Sequence, residues 1–406
     1  MADFLQNGII TTLHKLRERP IEALEAELRG FATRRPMALI LPSLFSELEG
    51  GALPAIVENL RQAGYLSEII VGLDRADEAQ FRHARAFFGR FTQRTRILWH
   101  DGPRLRALDT ELKSEALAPT ETGKGRNVWY CLGYALARED CEAVALHDCD
   151  IVTHDRHLPA RLFYPVANPA FNFQFCKGYY ARIAGNKLSG RVTRLYVTPL
   201  LRALNKILGP MDYLEFMDCF RYPLSGEISL RRDFIQNLRI PSDWGLEVGV
   251  LSEVYRNLSR HQVCQVDIAD HYDHKHQELS PDGPTGGLAK MSIDIAKSIY
   301  RKLATEGVTL SMELCRTVKA TYFRMALDCI EQYYVDAQIN DLQFDRHGEE
   351  RAVEVFVQSV MTAGEMFLAN PMETPFIPSW NRVLSAIPDF GARLCEAVEL
   401  DNAWGD

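Results

Sequence analysis

The chain has no C-x-x-C pair among its nine cysteines, no run of apolar residues long enough to span a membrane, no internal repeat and no low-complexity linker. Each absence removes a class. An odd, scattered set of cysteines is neither a disulfide framework nor a zinc ribbon, and reads as the reduced thiols of a cytoplasmic protein. No secretory signal is visible, because Met1 to Gly30 mixes its Leu and Ile residues with His14, Lys15, Arg17, Arg19 and Glu22. A positive excess is missing too. Lys and Arg number 46 against 54 Asp and Glu, and the net charge of −8 has the wrong sign for a dedicated nucleic-acid binder. What remains is globular: 47% hydrophobic and 25% charged residues over a length of 406. That length suggests two domains, or one large domain with an appendage.

Apolar patterning orders the chain. Residues 1–35 read as an amphipathic helical extension. Met37 to Leu41 reads as a short buried strand stopped by Pro42. Leu53, Ile56, Val57 and Leu60 follow at helical spacing. A strand ending at Asp74, a helix from Glu78 to Phe88 and a strand from Arg96 to Trp99 come next. This alternation predicts a mostly parallel α/β sheet. Asn127 to Arg138 reads as a helix leading into a strand that ends in Asp148-Cys149-Asp150. Phe171 to Phe175 alternates like a half-buried strand, and Val263 to Ile268 reads as another. From about Leu288 onward the pattern is helical, over Met291 to Leu303, Leu310 to Tyr334 and Ala352 to Leu368.

Five segments carry chemistry. Asp148 and Asp150, two apart on a strand, share a face and suit a hard cation. His271, His274 and His276 offer an imidazole to complete such a site, with Mn²⁺ or Mg²⁺ as the fitting ion. Gly123-Lys124-Gly125 opens a helix, where amides and an ammonium group meet phosphate. Arg191 and Arg194, with Gly190 and Thr193, suit an anionic acceptor. Pro223-Leu224-Ser225-Gly226-Glu227 and Trp244-Gly245-Leu246-Glu247 each hold a glycine for close approach and a glutamate for sugar hydroxyls. A divalent cation neutralises the charge that a nucleoside diphosphate leaving group gathers.

In this order, the segments resemble the retaining GT-A glycosyltransferases that make glucosyl-3-phosphoglycerate, over roughly residues 36–305. The most specific matches are Ser189-Gly190-Arg191-Val192-Thr193, Pro199-Leu200-Leu201, Pro223 to Glu227, Trp244 to Gly249 and Gln265-Val266-Asp267. The resemblance implies that Pro42, Ser43, Leu44 and Glu47 line the uridine pocket, with Asp74 near the base and Lys124 at the phosphates. It implies Asp148 near the ribose, with Cys149 counted in the same donor-binding stretch. It implies Asp150 and His274 on the metal, with His271 and His276 as rivals to His274. Gly190, Arg191, Val192 and Thr193 would hold phosphoglycerate, Leu224 would lie by the reacting centre, and Glu247 would bind the donor sugar. The chain departs from the family at Phe45-Ser46-Glu47 and at Arg75.

The expectation is an α/β, Rossmann-like GT-A fold: extension 1–35, catalytic domain 36–285 (donor half to about 155) and C-terminal helical region 286–406. Its function would be metal-dependent, retaining transfer of glucose from UDP-glucose to 3-phosphoglycerate. Close alternatives are a mannosyl- or glucosyltransferase using GDP- or UDP-sugars on glycerate or phosphoglycerate. A non-catalytic nucleotide-sugar binder is the alternative from another class. The expected partners are the donor and a small anionic acceptor, in a cytoplasmic homodimer without nucleic acid or membrane span.

Overall fold

Side chains on successive strand residues face opposite sides of a sheet. Along Met37–Leu44, Ala38 and Ile40 enter one apolar layer while Met37, Leu39 and Leu41 enter the other. Ala143–Leu146 divides the same way. A strand buried on both faces reads as an unbroken apolar run, which is why these strands stood out. The computed structural model describes residues 6, 8–119, 121–273, 287–372 and 377–403.

Among the described residues nine strands form the sheet: β1 (Thr11–Leu13), β2 (Met37–Leu44), β3 (Leu66–Asp74), β4 (Arg94–Trp99), β5 (Ala143–Leu146), β6 (Phe175–Ala184), β7 (Lys187–Leu188), β8 (Ile228–Arg231) and β9 (Val263–Tyr272). Their order is β1-β9-β6-β8-β5-β2-β3-β4, with β7 hairpinned onto β6. All pairs are parallel except those made by β7 and β8. The carboxyl ends of β2, β3, β5, β6 and β9 therefore share one edge. Because β8 runs against its neighbours, the loop entering it (Leu224 to Glu227) reaches that same edge.

Several boundaries differ from expectation. Pro42 does not stop β2, which continues to Leu44 along β3. Pairing with β5 has already ended at Ile40, so the missing proline N–H costs no ladder bond on that side. The amino-terminal extension holds a strand as well as the helix Ile21–Ala32, because β1 pairs with β9. Phe171 and Phe173 precede their strand, which starts at Phe175. β9 continues through His271 to Tyr272. Asp148 and Asp150 lie beyond β5, which ends at Leu146, so strand alternation does not pair them.

The C-terminal helices share the core of the sheet. Trp380 stacks on Trp129, ring centroids 4.3 Å apart, and Phe390, Leu394 and Val398 join the same apolar layer. Asn402 accepts from the Ile97 N–H at 3.0 Å and donates to the Ile97 carbonyl at 2.9 Å, covering the open edge of β4. By length and average composition helix Arg346–Ala369 is long and apolar enough to cross a membrane, although Glu354, Gln358 and Glu365 interrupt its apolar run. Here it packs against Gly287–Thr305 and Met312–Ile339, with Val353, Phe356 and Val360 buried.

Candidate active site

Ligands of open α/β sheets sit beyond the carboxyl ends of the strands. At that edge Lys124, the first residue of helix Lys124–Ala137, bridges two carboxylates. Its Nζ lies 2.7 Å from Asp148 Oδ1 and 3.2 Å from Glu247 Oε1. Burial opposes its charge, but Asp148 and Glu247 outweigh burial and hold the ammonium group well above the usual lysine range. Glu247 stands in the first turn of helix Leu246–Asn257. Gly226 completes the cradle, since a Cβ there would fall 2.8 Å from Asp148 Oδ2 and 3.0 Å from Lys124 Nζ. Residues 124, 148, 226 and 247, scattered in sequence, thus meet at one point.

The other donor-side residues line the same edge. Ser43 and Leu44 end β2 and pair with Leu73 and Asp74, while Pro42 lies one step earlier beside Gly72. Glu47 follows on the short helical turn Phe45–Glu49. Asp74 Oδ2 accepts from Asn127 Nδ2 at 2.9 Å. Arg75, a departure from the family pattern, adopts a left-handed backbone with φ 56°. The Cys149 thiol is buried in the apolar layer, and burial raises its pKa well above the usual thiol range.

Asp148 and Asp150 supply carboxylate oxygens, the ligands that a hard divalent cation takes, so the donor set fits such an ion. Among the described residues no three His, Cys, Asp or Glu side chains gather into a complete metal site. His274 and His276 lie outside the described residues. His271 is exposed on β9, and its neighbour Tyr272 turns inward.

In the segment that the sequence assigns to an anionic acceptor, Gly190 has φ 74° and a Cβ there would lie 2.9 Å from the Tyr222 hydroxyl. Arg191 follows, and Val192–Val197 forms a π-helical segment running into helix Thr198–Leu208. Val192 and Thr193 are buried. Arg191 keeps about a third of its side chain exposed, its Nε 2.7 Å from Glu349 Oε1. Arg194 does not present itself to a ligand as the sequence suggested. It donates from Nε to the Ser189 carbonyl at 2.8 Å and stacks over Tyr333 at 4.7 Å.

The two glutamates flanking the crevice also part company. Glu227 is fully buried and accepts from Tyr180 at 2.8 Å, from Tyr272 at 2.7 Å and from Ser225 Oγ at 3.2 Å. It ties the Leu224 loop to β6 and β9, while Glu247 contacts Lys124. Lys177, buried on β6, donates to the Ser225 carbonyl at 2.7 Å. Sequence reasoning missed Lys177, although a lysine inside the apolar run Phe175 to Tyr180 is a visible signal. Glu349 carries no local signal at all.

The mixed, mostly parallel sheet with helices packed on it is the GT-A fold of glycosyltransferases. The fold overlays on glucosyl-3-phosphoglycerate synthase from Mycobacterium tuberculosis, solved with Mn²⁺, UDP-glucose and phosphoglyceric acid. That match has a TM-score of 0.54 and 22% identity over 72% of this chain and 87% of that one. It also overlays on mannosyl-3-phosphoglycerate synthase from Rubrobacter xylanophilus, with TM-score 0.53 and 18% identity over 73% and 82% of the two chains. No family model matches. The glucosyl-3-phosphoglycerate synthase of Persephonella marina is 47% identical over 99% of this chain and 100% of its own length. That of Methanococcoides burtonii is 38% identical over 98% of each. The chain belongs to the glucosyl-3-phosphoglycerate synthase family and is a glycosyltransferase.

Proposed function

We propose that the chain transfers glucose from UDP-glucose to 3-phosphoglycerate with retention at the anomeric carbon, aided by a divalent cation. Full-length similarity to synthases of this name supports the substrates. The observation that carries the reading is Lys124 bridging Asp148 and Glu247 where donor phosphates and sugar would meet.

Asp150, with a histidine of the 271–276 segment, would hold the cation, which when bound supplies positive charge beside the departing diphosphate. Asp148 positions the ribose side of the donor. Lys124 meets the phosphates, and its contact with Glu247 ties phosphate binding to the glutamate that orients the sugar hydroxyls. Arg191 and the Gly190 amide hold the acceptor phosphate or carboxylate. The bond from C1 to the diphosphate oxygen breaks as the acceptor hydroxyl oxygen bonds C1 from the same face. The hydroxyl proton passes to the leaving phosphate oxygen. The Leu224 backbone borders that face, held from below by Lys177 through Ser225.

A matrix of UDP- and GDP-sugars against glycerate and phosphoglycerate, with the product anomer read by NMR, tests the reading. An α-glucosyl product from UDP-glucose and 3-phosphoglycerate is expected. Preference for a mannosyl donor or for glycerate would move the specificity, and donor binding without turnover on any acceptor would make the chain a sensor. Asp150→Ala should lower cation-dependent transfer about 100-fold or more with the fold intact. Full activity in that variant would remove the metal assignment.

A further inference from the structure

Arg191 and Arg194 stand three apart and converge on one carboxylate from a helix more than 150 residues later. Glu349 Oε1 lies 2.7 Å from Arg191 Nε, and Oε2 lies 2.9 Å from Arg194 Nη1. The glutamate is only 3% exposed and sits in the first turn of Arg346–Ala369, behind an Asp345 cap that accepts from the Gly348 N–H at 3.0 Å. The two arginines are committed to different degrees. Arg194 donates from Nε to the Ser189 carbonyl and from Nη2 to the Leu188 carbonyl, pairs by charge at Nη1 with Glu349, and lays its guanidinium plane over Tyr333. Among the described residues, Arg191 spends only Nε, on Glu349. A guanidinium carries five N–H groups in a fixed fork, so four remain on Nη1 and Nη2. Those four are the ones that grip a phosphate or carboxylate in pairs.

We propose that Glu349 is a positioning residue for acceptor binding: it fixes Arg191 through Nε and leaves the fork of its terminal amines turned to the acceptor anion. The inference rests on Arg191 being the acceptor arginine, as proposed above. Arg194 anchors the other side of the carboxylate, so Glu349 cannot swing with Arg191. One carboxylate between two guanidiniums also leaves one net positive charge for the incoming anion. The C-terminal helices thereby enter the acceptor site.

Steady-state kinetics with UDP-glucose and 3-phosphoglycerate test this on Glu349→Ala, Glu349→Gln, Arg191→Ala and the Arg191→Ala/Glu349→Ala double variant. Glu349→Ala is expected to raise the acceptor KM about tenfold, with kcat and donor KM within about twofold. Glu349→Gln keeps an oxygen for Nε and should restore at least half of the loss on a logarithmic scale. It carries the test if the alanine variant does not fold. In the Arg191→Ala background, Glu349→Ala should raise the acceptor KM no further. An unchanged or lowered acceptor KM in the Glu349 variants, or equal shifts in kcat and both KM values, overturns the proposal. An unchanged acceptor KM in Arg191→Ala overturns instead the acceptor role of Arg191.

Discussion

Lys124 and Lys177 sit at the same edge of the sheet and meet opposite fates. Lys124 touches two carboxylates, which keep it charged. Lys177 donates to a neutral carbonyl. Burial therefore dominates and lowers its pKa to about 8, with Glu247 and Glu227 offsetting part of the shift. The consequence for stability has a definite sign. Below pH 8 the native state carries the full cost of a buried charge. Between about 8 and the ordinary value of 10.5 the unfolded chain binds more protons, so stability rises with pH. The difference in unfolding free energy between wild type and Lys177→Met should shift in favour of wild type by about 3 kcal/mol from pH 7 to pH 10.5. Denaturant titrations of both proteins across that range measure it, and a constant difference would contradict the buried-charge account. At this scale the motifs named Lys124, Asp148 and Glu247, and the fold brings the three side chains into contact. Which glutamate faces the crevice was not legible in them. Glu227 and Glu247 stand in similar glycine-bearing segments, and only the tyrosines from β6 and β9 separate them.

Whole elements were read better than their ends. Periodicity located β2, β3 and the helix Glu78–Phe88, whose Asp77–Gln80 capping box is local. Ends depend on neighbours. β2 outlasts Pro42 because β3 runs beside it to Asp74, and β9 runs to Tyr272 because β6 continues to Arg182. The turn at Gly190 is one end set by its own residue. Its φ of 74° and the close Tyr222 hydroxyl leave no room for a side chain. Gly190→Ala should cost roughly 1–2 kcal/mol of stability. It should also raise the acceptor KM several-fold by shifting Arg191, leaving the donor KM near wild type. Thermal unfolding with paired KM measurements checks both, and an unchanged acceptor KM would detach this turn from the acceptor.

At the scale of the molecule, the C-terminal helices close the fold against β4 and the helix Lys124–Ala137. Trp380 Nε1 donates to the Trp129 carbonyl at 3.1 Å, and Trp129 Nε1 donates to the Pro378 carbonyl at 2.9 Å. Glu399 pairs with Arg94 at 2.7 Å and with Arg96 at 2.8 Å. Truncating a buried tryptophan removes its packing and leaves a cavity, so Trp380→Ala should cost about 3–5 kcal/mol. The melting temperature should fall clearly, while KM values measured well below it stay within about twofold. A variant as stable as wild type would mean that the tail does not hold the sheet.

The sequence by itself determined the class of fold and the class of enzyme. Strands buried on both faces leave apolar runs, helices leave a 3.6-residue period, and the phosphate, sugar and acceptor motifs are contiguous. Only the tertiary structure decided how those motifs divide their work. Lys124 meets Glu247 across 123 residues, and Arg191 meets Glu349 across 158. Contacts at such separation are set by packing of elements, and packing leaves no pattern in the residues on either side of a contact.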